Sequence, residues 1–414
     1  MSKFSEVLKE KNFLCFWLGQ VISQFGDRLN QMALIALVFQ RMGGSALGLA
    51  KIMSFTIIPS FLISPIAGAY VDRWNHKYTM IVTDLIRAFL VLCIPVFFTK
   101  SDSLVPVYMV VFMVFSASCF FLPSKFSIIP ELVSKENLLI ANSLTNTTMM
   151  LAAVFGVGLG GALIEKVGAK GGFYIDFATY LVSAVLLSAV IIKNRNPEKK
   201  PLPQEDIAQL IKQSVFTDIK EGIKYVFAHP YLRFVFQTIF VLMAGAGALY
   251  IMAIVFIQNI FASVTKDLGV LSVFVGAGFF IGALICGRFG NKVHKVKIIF
   301  FGLIFSGIFI ASFALLLHFY PWLPLAAGIA VLIGVSVGPI FISSNTLIHE
   351  VIKSEMRGRI FSSLGIVMNL GFLMFMFIAS KLSEVFNPMW VILGVSFCFI
   401  LYGLLGLVKF KIKR

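Results

Sequence analysis

The chain has 414 residues, enough for two or three soluble domains, but 59% of them are hydrophobic and only 13% charged, about half the charged share of soluble domains. With a mean hydropathy of +0.93, that composition excludes both a water-soluble fold and a disordered chain. The formal charge of +16 lies in short loops and forms no contiguous basic face, which argues for attraction to an anionic leaflet and against nucleic acid.

A membrane-spanning helix needs roughly 20 mostly apolar residues. Twelve such runs occur, near 13–39, 48–71, 78–99, 104–123, 138–164, 172–192, 232–261, 268–290, 296–318, 322–345, 359–381 and 388–408. They lack the period-2 alternation of barrel strands. Lys and Arg number 26 in the connections on the side of the termini and at the run ends beside them, against 6 in the opposite set, so both termini and the long central loop are expected in the cytoplasm. The expectation is an all-α protein of the inner (cell) membrane with twelve transmembrane helices in two six-helix bundles.

Charges inside a bilayer are costly, at about 2.5 kcal/mol or more each, and need a partner, water or a purpose. In the first run Gln20, Gln24, Asp27 and Gln31 fall at steps of four, three and four, hence on one helical face, with Ser23 and Asn30 beside it. A face that polar is expected to line a wet cavity. Asp27 then binds a coupling proton or the substrate, with Arg28 tuning its charge. The competing reading is a fixed pair between Asp27 and an arginine that holds helices together.

In the third run Asp84 and Arg87 are three apart and share a face. Lys125, at the cytoplasmic end of the fourth run, is expected to snorkel to the interface, with contact to a lipid head group as the lesser reading. Asn142 and Asn146 in the fifth run and Asn369 in the eleventh could line the cavity or bond neighbouring helices. Gly156, Gly158, Gly160 and Gly161 permit close helix approach, and Asp176 reads as a structural residue near the outer end of the sixth run.

Three segments follow: 1–193, a linker at 194–231 and 232–414. The linker opens with Asn194-Arg-Asn-Pro-Glu-Lys-Lys-Pro-Leu-Pro203. Apolar residues at helical spacing from Ile207 to Phe227 then read as an amphipathic helix on the cytoplasmic face. The two halves carry matching signals. Gly68-Ala-Tyr-Val-Asp72-Arg73 ends the second run as Gly282-Ala-Leu-Ile-Cys286-Gly-Arg288 ends the eighth. Glu131 and Glu136 precede Glu350 and Glu355 by 219 residues. Duplication implies two bundles related by an axis along the membrane normal, with a substrate site near the midplane.

On these residues the chain resembles the major facilitator superfamily. Trp74-Asn-His-Lys77 departs from the family's more basic continuation of Gly-x-x-x-Asp-Arg. Phe25-Gly-Asp27-Arg28, Asp84-Leu-Ile-Arg87 and Asp218-Ile-Lys-Glu-Gly-Ile-Lys-Tyr-Val-Phe-Ala-His-Pro-Tyr-Leu-Arg233 resemble the drug and siderophore exporter branch. Pro123-Ser-Lys125-Phe-Ser-Ile-Ile-Pro-Glu131-Leu is similar to a stretch of bacterial lysophospholipid transporters. The resemblance implies alternating access. It also implies a cytoplasmic latch of salt bridges and helix-end contacts, formed by Gly68, Asp72, Arg73, Asp84, Arg87, Glu131 and Glu350, that steadies the outward-open state.

The resulting expectation is a monomeric, proton-coupled exporter of an amphipathic small molecule, the alternative being a lysophospholipid flippase. A membrane enzyme or a channel fits less well. No G-x-x-x-x-G-K-[ST] nucleotide motif occurs, and no His, Cys, Asp or Glu cluster has metal-ligand spacing. No cofactor and no metal are therefore expected. The five cysteines, all in or beside apolar runs, form no disulfide framework.

Overall fold

A computed structural model describes residues 4–71, 73–100, 103–192, 224–351 and 357–409. Asp72, the linker 194–203 and most of the expected amphipathic helix (207–223) lie outside the described residues.

The described chain is helical throughout and contains no strand. In chain order the helices are α1 (Phe4–Lys9), α2 (Lys11–Met42), α3 (Ala46–Leu62), α4 (Ser64–Val71), α5 (His76–Lys100), α6 (Val105–Leu132), α7 (Leu138–Ser188), α8 (Pro230–Phe261), α9 (Lys266–Phe289), α10 (Lys295–Phe319), α11 (Leu323–Val351), α12 (Arg357–Leu382) and α13 (Pro388–Lys409). Nine of these are long and apolar enough to cross a membrane. The 51-residue α7 counts as two, because Gly168 interrupts it at φ 72° and ψ 172°, a conformation glycine adopts without a Cβ clash. Adding α2, whose polar face lowers its hydropathy, and the α3–α4 pair gives the twelve segments expected from the sequence.

The described residues cluster into two compact units, one within Met1–Leu37 and Ile52–Val215, the other within Val38–Lys51 and Phe216–Arg414. In the first unit, Phe13 and Phe16 of α2 pack with Phe121, Ile128, Ile129 and Leu132 of α6 and Met80 of α5 in one buried cluster. The ends of α2 and α7 are tied there by Asn12, whose amide donates to Ile191 O at 2.8 Å and whose carbonyl accepts from Ile191 N at 2.9 Å.

The second unit is drawn together by small residues. A Cβ at Gly278 or Gly282 on α9 would strike the backbone of Val331 or Val335 on α11, and one at Gly334 or Gly338 would strike the backbone of Val275 or Phe279. Four glycines four residues apart on two facing helices thus let the main chains touch, which is how helices gain dispersion contact in lipid.

Candidate functional site

The first unit holds a buried cluster of charges built from three helices. Arg87, on α5, is 2% exposed. Its guanidinium pairs with Asp84 one turn earlier and lies 3.8 Å from the Asp27 carboxylate of α2. The rings of Phe121 and Tyr180 flank it, with centroids 4.2 and 4.4 Å from Cζ. A planar cation between two aromatic faces gains quadrupole attraction while its edge keeps its carboxylates.

Each carboxylate also has a neutral donor from the second limb of α7. Tyr180 Oη donates to Asp27 Oδ1 at 2.5 Å, and Ser183 Oγ donates to Asp84 Oδ2 at 2.7 Å. A second clasp joins the same two helices, where Asn30 Nδ2 donates to Asp176 Oδ2 at 2.6 Å. Thr179 Oγ1 donates to Asp176 Oδ1 at 3.3 Å. The helices come this close because residue 26 is glycine: a Cβ there would strike Thr179 and Asp176.

Exposure separates the three acids. Asp84 and Asp176 are fully buried, whereas the Asp27 side chain is 38% exposed. Asp27 is therefore the acid of the cluster whose side chain keeps an open face.

Arg28, expected beside Asp27, is turned away from it. Successive helical residues point about 100° apart, and Arg28 turns to Gln31, donating from Nη1 to Oε1 at 3.3 Å. Its stem lies against α7, where a Cβ at Gly156 would come within 2.9 Å of Arg28 Cγ. The cation beside Asp27 is Arg87. Asp84 and Arg87, expected in the latch, stand in this cluster.

Lys125 does not snorkel. It is 2% exposed, one turn from Phe121 on α6, with its ammonium 5.8 Å from the centre of the Phe126 ring. Gln24 donates back to Gln20 O at 2.9 Å. Asn146 is exposed on the first limb of α7, and Asn369 is half-buried on α12 in the second unit.

Of the remaining latch residues, Glu131 stands 3.8 Å from His76 Nε2, and Glu350 is 2.6 Å from Lys295 Nζ. Gly68 has nothing among the described residues within 4 Å of a would-be Cβ. Arg73 Nη1 is buried without a partner among them. The sequence reading missed Tyr180 and Ser183. The signal was available, since Asp176, Tyr180 and Ser183 recur at the same helical spacing that exposed the polar face of α2.

The sequence profile of the Major Facilitator Superfamily matches residues 16–376 and, in a second alignment, 251–413. The chain belongs to the major facilitator superfamily. Among relatives of this transporter, the MFS-type transporter YfiS of Bacillus subtilis is 25% identical over 413 residues, covering 96% of this chain and 91% of its own. Macrolide efflux protein A of Streptococcus pyogenes is 26% identical over 410 residues, covering 95% and 93%. In fold, the transporter is similar to a bacterial homologue of the iron transporter ferroportin in its inward-facing state, with a TM-score of 0.74 at 16% identity over 98% and 99% of the two chains. It is thus a multi-pass membrane transport protein of a small molecule, not an enzyme, and efflux proteins are among its relatives.

Proposed function

We propose that this transporter works by alternating access and exports an amphipathic small molecule in exchange for protons, with Asp27 as the group that gains and loses the proton. The observation that carries the reading is the contrast within one cluster. Asp84 is sealed by Arg87 and Ser183, and Asp176 by Asn30 and Thr179. Asp27 keeps an open face while Tyr180 and Arg87 hold its other side. A carboxylate held in this way can exchange a proton without its helix moving out of register.

Efflux relatives support the direction of transport. The basic loops support an inner-membrane location with cytoplasmic termini, and a monomer divided near 1–193, 194–231 and 232–414 suffices for the mechanism. Proteoliposomes loaded with a panel of amphipathic compounds, including macrolides and lysolipids, test it under an imposed pH gradient. The expected result is gradient-driven movement of one compound class by the wild type. Asp27→Asn should lose both that movement and its dependence on pH. Transport that survives in Asp27→Asn with its pH dependence intact would end the reading. Lysolipid movement without any gradient would favour a flippase.

A further inference from the structure

The second unit contains a cavity that the reading of Asp27 does not use. It lies between α8, α12 and α13 and has a volume of about 640 Å³, inside the range of about 300–1,000 Å³ common to small-molecule sites. Small residues leave the space. Ala244, Gly245 and Ala248 of α8, Ala379 of α12 and Gly394 of α13 stand in its wall, where larger side chains would fill it. A Cβ at Gly394 would meet no heavy atom within 4 Å, whereas one at Gly245 would strike the Phe399 ring, so that ring packs on α8 as part of the floor.

The lining sets the chemistry of a ligand. No wall residue is charged, and the side-chain heteroatoms are the Trp390 indole nitrogen and the Cys398 sulfur. A charged or strongly polar group would lose its water there and gain no partner. Water itself avoids an apolar cavity. The ligand that fits is hydrocarbon.

The run of the cavity selects the kind of hydrocarbon. Leu382, Phe386 and Trp390, all exposed, line it where α12 ends and α13 begins, on the membrane face opposite the C-terminus. Aromatic side chains at span ends sit at head-group level. From there the lining continues to Phe375 on α12 and Phe399 on α13, about 10 and 14 Å further at 1.5 Å per residue, against about 15 Å for the hydrocarbon of one leaflet. Ile378 and Cys398, along that run, are exposed too, so the cavity opens sideways and is continuous with the surface these spans turn to lipid. The helix end that carries Leu382 also carries Lys381 and Glu384, paired and both exposed. They place one charge of each sign at the level where a zwitterionic phospholipid keeps its phosphate and amine. We propose that α8, α12 and α13 hold one acyl chain of a zwitterionic phospholipid from the leaflet opposite the C-terminus, with its head resting at Lys381 and Glu384.

The test uses the purified full-length transporter in nanodiscs of phosphatidylethanolamine, doped with a phosphatidylethanolamine that carries a photoactivatable diazirine within one acyl chain. After irradiation, adducts mapped by mass spectrometry should concentrate on the cavity walls, Phe375 and Cys398 among them. The expected excess over Phe280 and Leu284, exposed on α9, is about tenfold, since a chain that buries even two more methylenes is favoured by about that factor. Gly394→Leu projects a side chain into the open space and should remove the excess while labelling of α9 stays unchanged. Should Gly394→Leu fail to fold, Cys398→Phe fills the same space from one turn away. Equal labelling of the walls and α9 in the wild type, or an excess that survives in whichever filling variant folds, overturns the site. Displacement of the lipid adducts by a compound moved in the transport assay would make the cavity a substrate site and overturn the lipid assignment. Asp27→Asn should label as the wild type does, so the result stands apart from the proton reading.

Discussion

Arg87 is the residue on which the first unit turns. Its partners come from its own helix, from α2, α6 and the second limb of α7, and it is enclosed by them. Removing one member of a buried ion pair strands the other, at a cost of about 3–5 kcal/mol. Arg87→Gln should therefore lower the melting temperature of the purified protein sharply, which thermal-shift measurement would show. Arg87→Lys should rescue it only partly, because an ammonium cannot fill a slot shaped for a planar group between two rings.

Tyr180→Phe is a milder probe. It removes one hydrogen bond to a carboxylate, about 1.5–3 kcal/mol, and leaves the ring over Arg87. The fold should persist while the pH profile of transport shifts. Asp176→Asn keeps an acceptor for Asn30 and should retain most activity, in contrast to Asp27→Asn. Equal losses in the two variants would remove the distinction between a reachable and a sealed acid.

At the scale of helices, small residues decide which ones may touch. Gly26→Ala puts a methyl group against Thr179 and Asp176. It should separate α2 from α7 enough to break both clasps, with loss of transport at near-normal expression. Gly282→Leu meets main chain on α11, which cannot step aside, so size-exclusion profiles should show a poorly folded protein.

Spans, charge bias and the polar face of α2 were legible in the sequence because hydropathy and helical periodicity are local properties. The partner of Asp27 was not. Arg28 was its neighbour in sequence, but helical geometry turned it away and supplied Arg87 from 60 residues on. Lys125 misled for a similar reason: snorkelling assumes a lipid-facing side chain, and that of Lys125 is buried in the protein.

Across the whole molecule the internal repeat is visible in chemistry as well as sequence. His76 and Glu131 face each other at the start of α5 and the end of α6. Lys295 and Glu350 do so at the start of α10 and the end of α11, and both residues are displaced by the same 219 positions. The sequence displayed the glutamates alone, because histidine and lysine do not match by identity. If the pairs serve as equivalent latches, His76→Lys should leave transport intact. Glu131→Gln and Glu350→Gln should each change the membrane face from which a cysteine placed on the polar face of α2 is labelled, and unchanged labelling in both would leave the pairs merely structural.

The clasp between α2 and the second limb of α7 also bears on how the protein is made. Asp27 emerges from the ribosome about 150 residues before Tyr180, and Asn30 a similar stretch before Asp176. During that interval the newly synthesised first five spans carry an acid and an amide whose stabilising mates do not yet exist. Such a nascent chain should linger at the insertion machinery or an insertase until the sixth span arrives. Arrested translation intermediates ending before residue 170 should crosslink to that machinery through α2, and those extending past the clasp should be released.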